Sequence, residues 1–393
     1  MPDSSRRNFL LAGLAVPAAA SAARSSADGQ KGSPLGPAPP RTALASPQLR
    51  YRILGETGLK VTSVGFGCMI TSDASVIERA ADIGITYFDT ARGYQSGNNE
   101  RMVGAALKGK RQSITLSSKS HSATKEAALA DLDTSLRELG TDHLDIWYLH
   151  AKTKPADVTD ELIDAQQTAK KAGKIRFAGV STHSGQADLI PALTANPHID
   201  VILTAYNFSM GQTLDPVIAA AHAAGKGIVA MKVMAGGFRI AKPGTKVYDT
   251  FKKDGALLAA LRWVLKSSDI DTTVPSMTDM DQLEENLKAM TGGFTKSDET
   301  LLARQLERIA PLYCRMCGQC DGSCAKGLPV AEILRCLTYA DGYGQFSLGR
   351  ERFLELPAEV AQVRCDSCST CTVDCPHGVR VSERLARAQE LFA

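Results

Sequence analysis

The sequence predicts an α/β protein: a (β/α)8 barrel followed by a small, mainly helical domain. Two observations carry this. From about residue 60 to residue 293, short β-rich apolar runs alternate with segments whose apolar residues recur at helical spacing. Beyond them lie two cysteine-dense runs separated by a stretch of helical pattern. The 393 residues, 44% hydrophobic and 22% charged, suffice for one large core and a smaller one. A net charge of +3, with no basic stripe interleaved with aromatics, argues against nucleic acid as a partner.

The chain opens "MPDSSRRNFLLAGLAVPAAASAA". A charged start, an apolar run from Phe9 to Ala20 that is interrupted by Pro17 and too short to span a bilayer, and small residues at Ser21, Ala22 and Ala23 have the form of a signal peptide over residues 1–23. Ser5, Arg6, Arg7, Phe9 and Leu10 resemble the twin-arginine export motif, although Leu11 stands where a basic residue often follows. The resemblance implies the twin-arginine translocase as a transient partner and a periplasmic or otherwise exported protein, with no membrane span in the mature chain. Residues 24–48, rich in Ser, Ala, Gly and Pro, read as a flexible linker.

A barrel domain is expected over residues 49–296. "LRYRILGETGLKVTSVGFGC" reads as a hairpin with turns at Gly55 and Gly58, then a buried strand. The eight barrel strands are read as "VTSVGFG", "TYFDT", "SITLSSK", "LDIWYLH", "IRFAGVS", "VILTAYN", "GIVAMKV" and "TTVPS". Segments such as "ATKEAALADLDTSLRELG" and "GALLAALRWVLKSS" supply helices between them. A doubly wound open sheet is the competing architecture. It ranks lower because no Gly-x-Gly-x-x-Gly follows the first strand. A barrel requires chemistry at the C-terminal ends of its strands. Asp89 ends the second, Tyr94 lies in the loop after it, Lys119 closes the third and His150 the fourth.

These residues resemble the aldo-keto reductase family. "YFDTARGYQSGNNERMVGAAL" is similar to its Asp-Thr-Ala, Tyr, Gly, Asn-Glu signature, and "SSK" and "WYLH" supply the rest of its catalytic tetrad. The opening "YRILGETGLKVTSVGFG" and the late "VPSMTDMDQLEENL" resemble its first and last barrel elements. The resemblance implies reversible hydride transfer between NADP or NAD and a small carbonyl or sugar-like substrate. Tyr94 would be the general acid, Lys119 the charge beside it, Asp89 the anchor of Lys119 and His150 the donor to the substrate oxygen. Cofactor contacts carry over to Ser181, Thr182, Met231, Lys232, Glu285 and Asn286. Thr182 replaces an asparagine, Leu203 a glutamine and Met231 an aromatic. Ser276 and Gln282 stand in place of the Lys and Arg that commonly clamp a 2′-phosphate, so NADP and NAD both remain open.

The last domain is expected over residues 297–393, beginning with a helix at 297–311. "CRMCGQCDGSC" and "CDSCSTCTVDCP" both read C-x2-C-x2-C-x3-C, the spacing of ferredoxin-type [4Fe–4S] sites. Cys314, Cys317, Cys320 and Cys324 recur 51 positions later as Cys365, Cys368, Cys371 and Cys375, and the repeat continues through Gly327/Gly378, Val330/Val381 and Glu332/Glu383. In such runs three thiolates hold one cluster and the fourth reaches the other. That groups Cys314, Cys317 and Cys320 with Cys375, and Cys365, Cys368 and Cys371 with Cys324. Zinc and disulfides are the alternatives. A twin-arginine signal suits a protein that takes up a cofactor before export, which favours two [4Fe–4S] clusters. Cys68 and Cys336 lie outside the repeat and are expected to be buried. Three functions follow: an exported reductase with two clusters; an iron–sulfur electron-transfer or interaction protein that uses the barrel as scaffold and serves a redox partner; and an isomerase or lyase that keeps its dinucleotide bound.

Overall fold

The computed structural model describes residues 48–236, 255–365 and 368–393. The signal peptide and nearly all of the linker expected at the N-terminus lie outside the described residues.

Strands β1 (Tyr51–Ile53) and β2 (Lys60–Thr62) pair antiparallel as the expected hairpin. Its turn closes the bottom of the barrel: the Gly55 amide donates to Asp271 at 3.1 Å, and the Glu56 amide donates to the Gly225 carbonyl at 2.9 Å.

The eight barrel strands are β3 (Phe66–Gly67), β4 (Tyr87–Asp89), β5 (Thr115–Ser120), β6 (Leu144–Leu149), β7 (Ile175–Thr182), β8 (Val201–Ala205), β9 (Gly227–Met231) and β10 (Thr272–Thr273). Each pairs in parallel with its successor, and bridges from Val64 to Thr273 and from Gly67 to Ser276 bring the first and last together. Six fall within the runs read from the sequence, and β5 and β7 each extend one residue past theirs, to Ser120 and Thr182. Parallel strands buried on both faces need near-continuous apolar sequence, which is why the runs stood out. Leu54, Val61, Tyr87, Ile146, Tyr148, Val201, Leu203, Val229 and Val274 pack the interior. Leu203 is thus core.

Helices fill the crossovers and start where the chain offers a side-chain cap. Thr124 accepts from the Ala127 amide ahead of the helix Lys125–Leu139, and Thr159 accepts from the Leu162 amide ahead of Asp160–Lys171. A helix at Lys296–Ile309, entered through a Thr295/Asp298 capping box, leads into the tail.

The tail is helical, as its pattern indicated: Val330–Leu337, a π-helical turn Thr338–Gly342, then Phe346–Leu354, Glu359–Gln362 and Val381–Phe392. Leu328, Ile333, Leu334, Leu337, Phe353, Leu385 and Phe392 form its core. The internal repeat is structural. Gly327 and Gly378 both adopt positive φ, of 71° and 79°, and their amides bond back to the carbonyls of Cys324 and Cys375. Val330 and Val381 then each open a helix. Cys68 and Cys336 are fully buried. No helix of the described residues is long and apolar enough to cross a membrane.

Candidate active site and cysteine cavities

The four tetrad candidates meet at the C-terminal mouth of the barrel. Lys119 Nζ donates to Asp89 at 2.6 Å and to the Thr90 carbonyl at 2.6 Å, and it stands 3.5 Å from Tyr94 Oη. Ser117 Oγ donates to the other Asp89 oxygen at 2.7 Å. The His150 ring meets Tyr94 edge-on, with centroids 5.8 Å apart. Asp89, Lys119 and His150 are all buried.

The "NNE" of the signature holds this loop from behind. Asn99 accepts from Thr90 Oγ1 at 2.6 Å and donates to the Cys68 carbonyl at 2.9 Å. Glu100, fully buried, pairs with Arg92 and accepts from Ser118 Oγ at 2.5 Å. Gln95 and Ser96, just after Tyr94, are held at φ near 50°, and Ala151, just after His150, at 53°. Such left-handed geometry is costly for residues with a Cβ and persists where surrounding structure enforces it.

Burial governs the protonation of the site. It pushes the Tyr94 phenol well above its ordinary value, with Asp89 and Tyr339 adding to the rise and Arg352 opposing it. It pulls Lys119 down, against the opposing attraction of Asp89. His150 is held well below the usual imidazole range, by burial first and then by His121 and Lys119, so at neutral pH it is an uncharged donor.

A cleft runs from the tetrad past the last strand. Asp89, Tyr94, Met231, Lys232, Ser276, Gln282, Glu285 and Asn286 all line it. Four of the six cofactor candidates are therefore gathered with the tetrad. Ser181 and Thr182 are not: both lie at the end of β7 but are fully buried outside the lining. Ser181 Oγ accepts from the Ala151 amide at 2.9 Å, and Thr182 Oγ1 donates to the Ser184 carbonyl at 2.8 Å.

Several mouth residues escaped sequence reasoning. His121 stacks on His150 with centroids 3.8 Å apart. It follows Lys119 by two, the spacing that keeps a strand's side chains on one face, so a signal existed. Tyr339, Tyr343, Arg335 and Arg352 come from the tail, and no local pattern announces them. Arg352 donates to the Gly93 carbonyl at 3.1 Å, beside Tyr94. Lys232 Nζ lies 4.9 Å from the Tyr339 ring centre and 5.2 Å from that of Tyr343.

The eight tail cysteines divide between two cavities. One is lined by Cys314, Cys317, Cys320 and Cys375, the other by Cys324, Cys365, Cys368 and Cys371. Burial pushes the Cys314 thiol up to about 12, with further contributions from Cys320, Cys317 and Cys375. Cys365 is raised by burial and then by Cys371, Cys368 and Cys324. Among the described residues, no three His, Cys, Asp or Glu side chains converge closely enough to hold a single metal ion.

The barrel has counterparts among known proteins. The model of the aldo/keto reductase family matches residues 71–304. Over 287 residues the chain is 25% identical to L-galactose dehydrogenase of Arabidopsis thaliana, a match covering 62% of this chain and 89% of that protein. It is 34% identical over 155 residues to the Bacillus subtilis oxidoreductase YqkF, covering 34% of this chain and only about half (49%) of YqkF. The holo form of an aldo-keto reductase from Bacillus halodurans superimposes with a TM-score of 0.56 at 26% identity, over 65% of this chain and 96% of that one. With the family's barrel and its matching sequence found together, the chain belongs to the aldo/keto reductase family and is an oxidoreductase of that type.

Proposed function

We propose that the protein is an exported, nicotinamide-dependent reductase that interconverts a small carbonyl compound and its alcohol, with two [4Fe–4S] clusters in its C-terminal domain. The observation that carries the catalytic part is the buried Asp89–Lys119 pair set 3.5 Å from Tyr94 Oη, with His150 against the Tyr94 ring. A reduced nicotinamide dinucleotide, when bound, supplies the hydride. Met231, Lys232, Glu285 and Asn286 in the cleft would hold it. The protein's own task is the proton. Hydride addition makes an alkoxide at the substrate oxygen, and an alkoxide is basic enough to take the proton of a phenol that burial keeps un-ionised. Lys119 offsets the phenolate left on Tyr94, Asp89 fixes Lys119, and neutral His150 donates to the substrate oxygen and orients it.

The tail cysteines fit the clusters. A [4Fe–4S] core holds its four thiolates farther apart than one ion does. Four cysteines line each cavity, and the linings follow the crossed grouping. Clusters in these cavities would supply one-electron exchange. The domain bounds of 49–296 and 297–393 rest on the sequence pattern, and export rests on the Ser5–Leu10 motif.

The test is anaerobic titration of the cluster-loaded protein with NADPH and with NADH, followed by turnover on a generic aldehyde such as 4-nitrobenzaldehyde. Saturable binding of one dinucleotide is expected. Tyr94→Phe should lose on the order of 10² to 10⁴ in kcat with binding retained. Near-normal turnover in that variant would overturn the tetrad assignment. One observation favours an electron-transfer role as the second reading: Cys314 lines a small cavity together with Lys232 and Tyr343, which also line the catalytic cleft.

A further inference from the structure

That small cavity lies behind the catalytic cleft, and its walls come from both parts of the chain. His183 and Lys232 reach it from barrel loops, and Arg315, Arg335, Tyr339 and Tyr343 from the tail. Its chemistry is one-sided: among the described residues, three cationic side chains line it and no carboxylate does.

The polar groups there are incompletely satisfied. Arg335 pairs with Glu332 through a terminal nitrogen, but its buried Nε has no hydrogen-bond partner among the described residues. His183 is only 7% exposed, and its buried Nδ1 is also unpartnered. Among the described residues no carboxylate pairs with Lys232, whose ammonium meets Tyr339 through a side-chain hydrogen bond, lies against the Tyr343 ring and stands 4.0 Å from the Met69 sulfur. Lys232 is further held at a φ of 56°. A buried cation and unmade hydrogen bonds are both unfavourable unless a complementary group enters. These cations do not simply face the neighbouring cysteines: only Cys314 and Arg315 line both cavities, while Lys232, Arg335 and His183 line this one alone of the two.

We infer that this cavity receives a compact oxyanionic substituent of the substrate, a carboxylate or a phosphate, while the substrate's carbonyl lies at Tyr94. Lys232 and Tyr343 line both spaces, so the charged substituent and the reacting carbon belong to one small molecule, such as an oxo acid or a sugar acid. Lys232 and Arg335 supply the charge, and Arg335 the planar fork that suits an oxyanion. The C-terminal domain thereby selects the substrate. The assignment rests on the reductase reading above.

The experiment is calorimetric titration of the intact, cluster-loaded protein with acetate, inorganic phosphate and acetamide. Acetate or phosphate should bind saturably, and uncharged acetamide should not. Arg335→Gln should weaken the anion at least about ten-fold, Arg335→Lys should restore part of the loss, and Tyr94→Phe should keep it. Preference for acetate assigns a carboxylate substituent, and preference for phosphate assigns a phosphate ester. Iron content and thermal unfolding establish that each variant is folded, and Tyr339→Phe serves as a second probe of the cavity if Arg335→Gln does not fold. Anion binding absent from wild type, or equal in wild type and Arg335→Gln, overturns the inference. Failure of the reductase reading is distinguishable: anion binding would stay sensitive to Arg335 while neither dinucleotide binds.

Discussion

Gly342 and Gly236 are in backbone contact: a Cβ on Gly342 would stand 1.8 Å from the Gly236 carbonyl oxygen. Gly342 ends the π-helical turn that carries Tyr339, and Gly236 lies in the loop after β9 that carries Lys232. The absence of one side chain thus lets the tail press its tyrosines onto the barrel mouth. Asp341, bonded to Arg384 at 2.8 Å and to Arg387 at 2.7 Å, ties the same turn to the C-terminal helix.

Gly342→Ala should therefore separate the two parts locally. The backbone must move to admit the methyl group, at a cost of about 1–3 kcal/mol. The expected result is retained iron content, a lowered Tm and a raised KM for substrate, since the tetrad side chains themselves all come from the barrel. An unchanged KM with unchanged Tm would show that the contact is not tight in solution.

Acid should destabilise the protein through His150. Its folded-state pKa lies well below the ordinary imidazole value, chiefly through burial. Between that depressed value and about 6.5, the unfolded chain binds a proton that the folded chain does not. Stability contributed by neutral His150 is thus present above pH 6.5 and is lost as pH falls. The slope from one such group is at most about 1.4 kcal/mol per pH unit. Denaturation of wild type and His150→Gln between pH 7 and pH 5 compares it with the acid-sensitive groups away from its stacking partner His121, which are common to both. The variant should show the shallower dependence, and parallel curves would refute the assignment.

What could be read from the sequence follows the range of the forces involved. Strands such as "LDIWYLH" declare themselves because burial on both faces leaves a continuous apolar run. Asp89, Lys119 and His150 were legible as polar residues ending such runs. The mouth's outer wall was not. Asn207 meets Tyr313 across 106 positions of chain, and Gly93 meets Arg352 across 259. No local periodicity encodes contacts that long. Ser181 and Thr182 show the opposite limit: their place at a strand end was correct, but neighbouring backbone groups bond to their hydroxyls, which only the fold reveals.

The proposed clusters make the sharpest demand on the tail, because the crossed linings separate each fourth cysteine from its own run. Cys375 shares a cavity with Cys314, Cys317 and Cys320, and Cys324 shares one with Cys365, Cys368 and Cys371. The first cavity adjoins the barrel mouth through Cys314, and the second does not. Cys375→Ala should then perturb the cluster next to the active site, and Cys324→Ala the distant one. Iron content should fall toward half in either variant, with different electron paramagnetic resonance signals remaining after reduction. The Cys375 variant should also disturb substrate binding, because Tyr313, next to Cys314, no longer accepts from Asn207 Nδ2 once that wall loosens, and the same Asn207 nitrogen donates to the Lys232 carbonyl at 3.1 Å. Loss of the distant cluster in the Cys375 variant and of the one beside the active site in the Cys324 variant would mean that each run holds its own cluster, and full iron loss from both would mean that the two sites fold as one.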